Sequence, residues 1–182
     1  MRKALIFLAL LIPPVSALAQ QTPKVEVFGG YSNLTPNVDL SNISSNFNLN
    51  GFHVSVTENL NSWFGGVLDF SSHYGTEAGF KTNTQALMYG PVFAYRKYPT
   101  FVPFVHGMVG AVRGGPEFLN ISKPEFRIGL IVGGGADLKV SRRVSLRLIQ
   151  ADYLMSRFSS ARQDSVRLSA GIVLRFGTEA HR

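Results

Sequence analysis

The chain has 182 residues, 18 Lys and Arg against 11 Asp and Glu, a formal net charge of +7 and no cysteine. That length suits a single domain, and the missing cysteine excludes a disulfide scaffold or a Cys-ligated metal site. The basic balance does not make a nucleic-acid reader: the Lys and Arg are scattered singly, with no basic run and no reader motif, and two of the positives, Arg2 and Lys3, fall in a segment expected to be removed.

That segment comes first. Arg2-Lys3 precedes the apolar run Ala4–Ile12, Pro13-Pro14 breaks it, and Ala17-Leu18-Ala19 stands before Gln20. This is the pattern of a secretory signal peptide over residues 1–19, too short to cross a bilayer as a helix. The expected mature chain, 20–182, has no Cys at its start to carry a lipid anchor and no run of about 20 apolar residues. If it spans a membrane, it must do so with strands.

The mature chain alternates at period two from its beginning. Lys24–Asn33 is expected as the first strand, with Val25, Val27, Gly29 and Tyr31 opposite Glu26, Gly30 and Ser32. A polar stretch follows, and Leu49–Glu58 forms the second strand, with Phe52, Val54 and Val56 opposite His53, Ser55 and Thr57. Asn59-Leu60-Asn61 is a tight turn into the third, Ser62–His73, which sets Phe64, Leu68 and Phe70 against Trp63, Asp69 and Ser71. Tyr74–Asn83 is expected as a long loop. The fourth strand, Thr84–Arg96, has Leu87, Tyr89, Phe93 and Tyr95 on its oily side, and a short turn, Lys97–Thr100, leads to the fifth, Phe101–Val112. Gly114–Glu125 is a third long loop.

The sixth strand, Phe126–Val140, sets Ile128, Leu130, Val132, Ala136, Leu138 and Val140 against Arg127, Asp137 and Lys139. After Ser141-Arg142-Arg143 the seventh, Val144–Met155, slips phase. Arg147, Gln150 and Asp152 share a face only with one extra residue near Leu148-Ile149, which predicts a β-bulge. Arg157–Asp164 is a fourth long loop. The eighth strand, Ser165–Gly177, alternates without fault from Val166 to Phe176.

Long and short connections alternate, which predicts an all-β, eight-stranded antiparallel up-and-down transmembrane β-barrel with its short turns at one end. Pro91 and Pro103 fall inside strands, where a lost N–H points to bulges or to the membrane rim. Three features set the oily face outward. It is free of charge through the middle of each strand. Aromatics gather at strand ends, with Tyr95, Tyr98, Phe101 and Phe176 by the turns and Tyr31, Phe52, Tyr74 and Tyr153 by the loops. The other face mixes acids, bases, Ser and Gly, as a narrow barrel filled by its own side chains requires.

The signal peptide, KVEVFGGYSN, YGPVFAYR and GGGADLKVSRRVSLRLIQADYL together resemble the small eight-stranded outer-membrane barrels of OmpA/OmpX type, the outer membrane protein beta-barrel domain or "porin family". The resemblance covers the mature chain. It implies residence in the bacterial outer membrane, a bilayer as partner, a monomer, and surface loops free to contact an extracellular partner; Leu34–Asn48 and Gly114–Glu125 are the candidates for such contact. Closing strands in the family end in an aromatic that resembles the signal read by the barrel-assembly machinery. Phe176 matches it, although Gly177–Arg182 follows where many members end. Cell-wall anchoring is not carried over.

No catalytic, cofactor or metal site is expected. His53-x-Ser55 with Glu58 resembles the pair used by lipid A deacylase barrels, but His53 and Ser55 fall on the inward face and Glu58 on the other. It stands as an alternative reading, a lipid-modifying hydrolase; a secreted lipocalin-like ligand binder is another. Gly133-Gly134-Gly135 lacks the third Gly and the helix of a dinucleotide site. His53, His73, His106 and His181 lack metal-ligand spacing, and the sequons at Asn33, Asn42 and Asn120 are chance matches in a bacterial chain. The expected site is a charge network inside the barrel: Glu26, Asp69, Asp137 and Asp152 with Arg96, Lys139, Arg147, Arg167 and Arg175. Buried charge is tolerable only when paired, so these groups are expected to plug the lumen.

Overall fold

The computed structural model describes residues 22–36, 48–77, 80–116, 126–158 and 161–177. Every element among them is a strand: β1 Val25–Pro36, β2 Leu49–Asn59, β3 Phe64–Glu77, β4 Phe80–Ala94, β5 Phe101–Pro116, β6 Phe126–Lys139, β7 Val144–Phe158 and β8 Ala161–Phe176. Each pairs antiparallel with its neighbours in sequence, and β8 pairs with β1 from Val25↔Phe176 to Pro36↔Ser165, which closes the sheet into a barrel. Closure leaves no edge strand with unpaired backbone groups, the condition for crossing a bilayer with strands. The segment expected to be a signal peptide, most of the first loop, the third loop beyond Pro116, Asn42, Asn120, His181 and the tail beyond Gly177 lie outside the described residues.

The oily face points outward. Val54, Val56, Leu68, Leu87, Val105, Val109, Leu168 and Ile172 are all exposed. At the turn end Trp63 stacks on Phe93, and Tyr95, Tyr98, Phe101 and Phe176 are exposed; Tyr31, Phe52 and Tyr74 are exposed near the loop end. Such aromatic girdles suit the two membrane–water boundaries. Trp63 lies on this outer wall beside Phe93, not opposite Phe64 as expected, because it precedes the first ladder residue of β3 and escapes its alternation.

Two of the expected long loops are mostly strand. Pairing between β3 and β4 continues through Gly75↔Thr82 to Glu77↔Phe80, and between β7 and β8 through Arg157↔Arg162 to Phe158↔Ala161. Beyond the lipid no apolar face is required, so the alternation fades while the backbone ladder goes on. At the same end of β1 and β2, outward side chains bond each other in water: Tyr31 Oη donates to Asn50 Oδ1 at 2.6 Å, Asn33 Nδ2 to the same oxygen at 2.9 Å, and Thr35 Oγ1 to Asn48 Oδ1 at 2.7 Å.

The prolines have distinct settings. Pro91 is exposed on the outer wall, and the β4–β5 ladder has no pair between Tyr89↔Val109 and Val92↔His106. Pro103 is near the turn end, pairs with Ala136, and accepts the Tyr95 N–H at 2.9 Å.

The bulge in β7 falls where the phase slip put it. Arg147 pairs with Gly171 and Gln150 with Ser169, so three steps on β7 answer two on β8. Leu148 and Ile149 are both exposed to the lipid side, at 52% and 54%. In an unbulged ladder that kept the extra residue, either Arg147 or the pair Gln150 and Asp152 would face lipid.

The lumen as candidate functional site

Alternation with apolar neighbours turns Asp69 of β3, Asp152 of β7 and Arg167 of β8 into the lumen, each at most 2% exposed. Arg167 joins the other two. Its Nη1 and Nη2 donate to Asp69 Oδ1 and Oδ2 at 2.9 and 3.0 Å, its Nε to Asp152 Oδ2 at 2.9 Å, and Nη1 also to Ser71 Oγ at 2.9 Å. Two carboxylates on one guanidinium leave an excess negative charge, and N–H donors meet it. His53 Nε2 bonds Asp69 Oδ2, His106 Nε2 lies 2.8 Å from Asp152 Oδ1, and Gln150 Nε2 donates to Asp152 Oδ2 at 2.8 Å.

The chain of contacts continues towards the turn end. Arg147 Nη1 donates to Gln150 Oε1 at 2.7 Å, and its Nε and Nη2 donate to Asp137 at 2.8 and 3.1 Å. The guanidinium carbon of Arg147 lies 4.4 Å from the centre of the Phe28 ring and 4.3 Å from that of Phe104, held by two aromatic faces. Bonded side chains thus run without a break from His53 on β2 to Asp137 on β6.

Four expected members, Glu26, Arg96, Lys139 and Arg175, sit apart from this chain, near the turns. Arg96 Nη2 donates to Glu26 Oε2 at 3.1 Å and Asn59 Oδ1 at 2.9 Å, and Nη1 to the Ser62 carbonyl at 3.1 Å. Arg175 bonds the carbonyl oxygens of Ser141 and Val144 instead of a carboxylate. Lys139 is half-buried there, within electrostatic reach of Glu26. Nearer the loop end, Ser32 Oγ lies 2.9 Å from both Ser169 Oγ and His73 Nε2.

Sequence reasoning put His53 on the inward face without seeing that His53 and His106 complete the Asp69 and Asp152 sites. The signal was available, since each faces the same interior as those acids. It also missed that part of the lumen is apolar: Val67, Met88, Phe104, Met108 and Ile131 are buried in one cluster. Between Asp69 and Arg96 the lumen keeps a cavity of about 20 Å³, room for a water and far below the several hundred Å³ of a small-molecule site.

His53 and Ser55 face inward, as expected, and no hydrogen bond joins them. His53 Nε2 is committed to Asp69 and its Nδ1 has no partner, while Glu58 is exposed on the outer wall. Gly133 and Gly135 are packing glycines: a Cβ on Gly133 would strike the Asp152 carboxylate, and one on Gly135 would lie 2.8 Å from the Phe104 ring. A strand, not a helix, follows them. No group of His, Asp and Glu suited to a metal occurs among the described residues.

A closed antiparallel barrel with an apolar belt outside and bonded polar groups inside is a transmembrane β-barrel of the outer-membrane kind. Residues 5–176 match the family model described as Outer membrane protein beta-barrel domain; the chain belongs to this family and resides in the bacterial outer membrane. Solved structures share the fold. NspA, the Neisserial surface protein A, is 16% identical with a TM-score of 0.62, covering 84% of this chain and 97% of its own. OprG of Pseudomonas aeruginosa is 9% identical at 0.59, covering 86% and 97%. Ail of Yersinia pestis is 18% identical at 0.55, covering 83% and 98%. No curated protein matches the chain in sequence.

Proposed function

We propose that this protein is a non-catalytic, non-conducting outer-membrane barrel with a structural or surface-interaction role, its lumen plugged by its own ion pairs. The observation that carries the reading is the unbroken run of bonded side chains from His53 through Asp69, Arg167, Asp152, Gln150 and Arg147 to Asp137. An ion crossing the barrel would have to break buried, charge-assisted bonds whose separate partners are costly to leave unpaired. Specificity then belongs to the loop end, where strands carry the connections clear of the lipid. The test is swelling of proteoliposomes in small sugars. The plugged barrel gives the rate of protein-free vesicles, and porin-like swelling would contradict it.

The same reading covers biogenesis. Residues 1–19 are removed on export, 20–182 fold as one monomeric barrel, and Phe176, exposed on the outer wall and paired with Val25, serves as the closing aromatic for the assembly machinery. Mass measurement of the mature protein gives the cleavage site, and Phe176→Ala is expected to lower the yield of folded barrel in cells. The hydrolase alternative has little support, since His53 and Ser55 face away from lipid and share no bond. An outward apolar wall likewise argues against a soluble ligand carrier.

A further inference from the structure

The turn end of the barrel, which faces the periplasm in barrels of this kind, is unevenly charged. Among the described residues, Lys24, Lys97, Arg142 and Arg143 are exposed there against one exposed carboxylate, Glu58. Arg142 and Arg143 have the most defined setting. The N–H groups of Val140 and Ser141 donate to the Val144 carbonyl at 3.1 and 2.9 Å, and Ser141 Oγ accepts from the N–H groups of Arg143 and Val144 at 3.3 and 3.1 Å. Backbone and one serine therefore hold the turn, and it presents both guanidinium groups without using them.

Arg175 adds a third guanidinium beneath the turn. It is bonded to the carbonyls of Ser141 and Val144, and its buried Nε has no partner. The lumen carboxylates on this side are already bonded, Asp137 to Arg147 and Glu26 to Arg96. The outer wall beside the turn is apolar: Val140, Leu146, Leu174 and Phe176 are each at least 40% exposed, and Val144 pairs with Leu174 to make their surface continuous.

Unpartnered guanidinium groups at the foot of an apolar wall match one ligand chemistry, a phosphate carried on acyl chains. We infer that the β6–β7 turn is a binding site for an anionic phospholipid of the inner leaflet, with the phosphate on Arg142 and Arg143 and the chains along Leu146, Leu174 and Phe176. Guanidinium suits the task because it offers forked donors to phosphate oxygens. Each cation near an anionic lipid surface strengthens binding about fivefold, so the pair is worth about 25-fold.

The test is native mass spectrometry of the folded full chain in non-ionic detergent, titrated with phosphatidylglycerol or phosphatidylethanolamine. Wild type is expected to retain phosphatidylglycerol preferentially. The double variant Arg142→Gln, Arg143→Gln is expected to lose about 25-fold in that affinity while keeping its heat-modifiable gel mobility, and Lys97→Gln to lose much less. Equal retention of the two lipids, or an unchanged preference in the folded double variant, overturns the site. Complete displacement of phosphatidylglycerol by millimolar inorganic phosphate overturns its assignment to a lipid.

Discussion

Arg167 on β8 and Asp69 on β3 lie 98 positions apart in the chain and meet through two parallel hydrogen bonds of 2.9 and 3.0 Å inside the barrel. Neither residue can find the other until the sheet has closed, so this pair is a measure of closure. Arg167→Met would leave Asp69 and Asp152 buried without their cation. It is expected to lower stability by about 3–5 kcal/mol in urea unfolding from lipid vesicles. Adding Asp69→Asn and Asp152→Asn to that variant should recover most of the loss, because neutral amides have less to lose. A loss below about 1 kcal/mol for Arg167→Met would mean that the pair is exposed to water.

The β7 bulge makes an unusual prediction about deletions. Removing Ile149 leaves Arg147, Gln150 and Asp152 on the lumen face with regular alternation. Removing Ala151 forces at least one lumen side chain of β7 onto the lipid side. Deletion of Ile149 should therefore still give a barrel that migrates differently before and after boiling. Deletion of Ala151 should give little folded material.

Gly133 stands against Asp152 with no room for a side chain. Gly133→Val is expected to displace that carboxylate from Arg167 and His106 and to cost about 1–3 kcal/mol through overpacking. Gly29→Val is the control, because a Cβ on Gly29 meets nothing within 4 Å. Urea midpoints for the two variants should separate clearly.

Ser55 is buried in the lumen and shares no hydrogen bond with His53. Ser55→Ala is expected to leave stability within about 1 kcal/mol of wild type and the lipid A species of the host membrane unchanged by mass spectrometry. A change in lipid A that depends on Ser55 would revive the hydrolase reading.

Much of this architecture was legible because lipid imposes a simple demand. A side chain facing acyl chains must be apolar, so Leu68, Leu87, Val109 and Leu168 mark their strands, and the phase slip at Leu148-Ile149 marks the bulge to the residue. Past the lipid the demand lapses. Gly75 and Thr82 carry no such mark, although they are paired in the ladder, so the extension of β3 and β4 looks like loop in the sequence. The lumen was legible by face but not by partner. Alternation put Asp69, Asp152 and Arg167 inside, whereas their pairing depends on strands brought together by closure. Nor does alternation say what fills the interior. Phe28 and Phe104 lie on the lumen side of their strands, and Arg147 packs between their rings.

The central claim, a barrel sealed by its own ion pairs, is tested most directly by single-channel recording of the refolded protein in planar bilayers. Sealing predicts no steady conductance for the wild type at moderate voltage. Large, steady unitary currents from the wild type would contradict it.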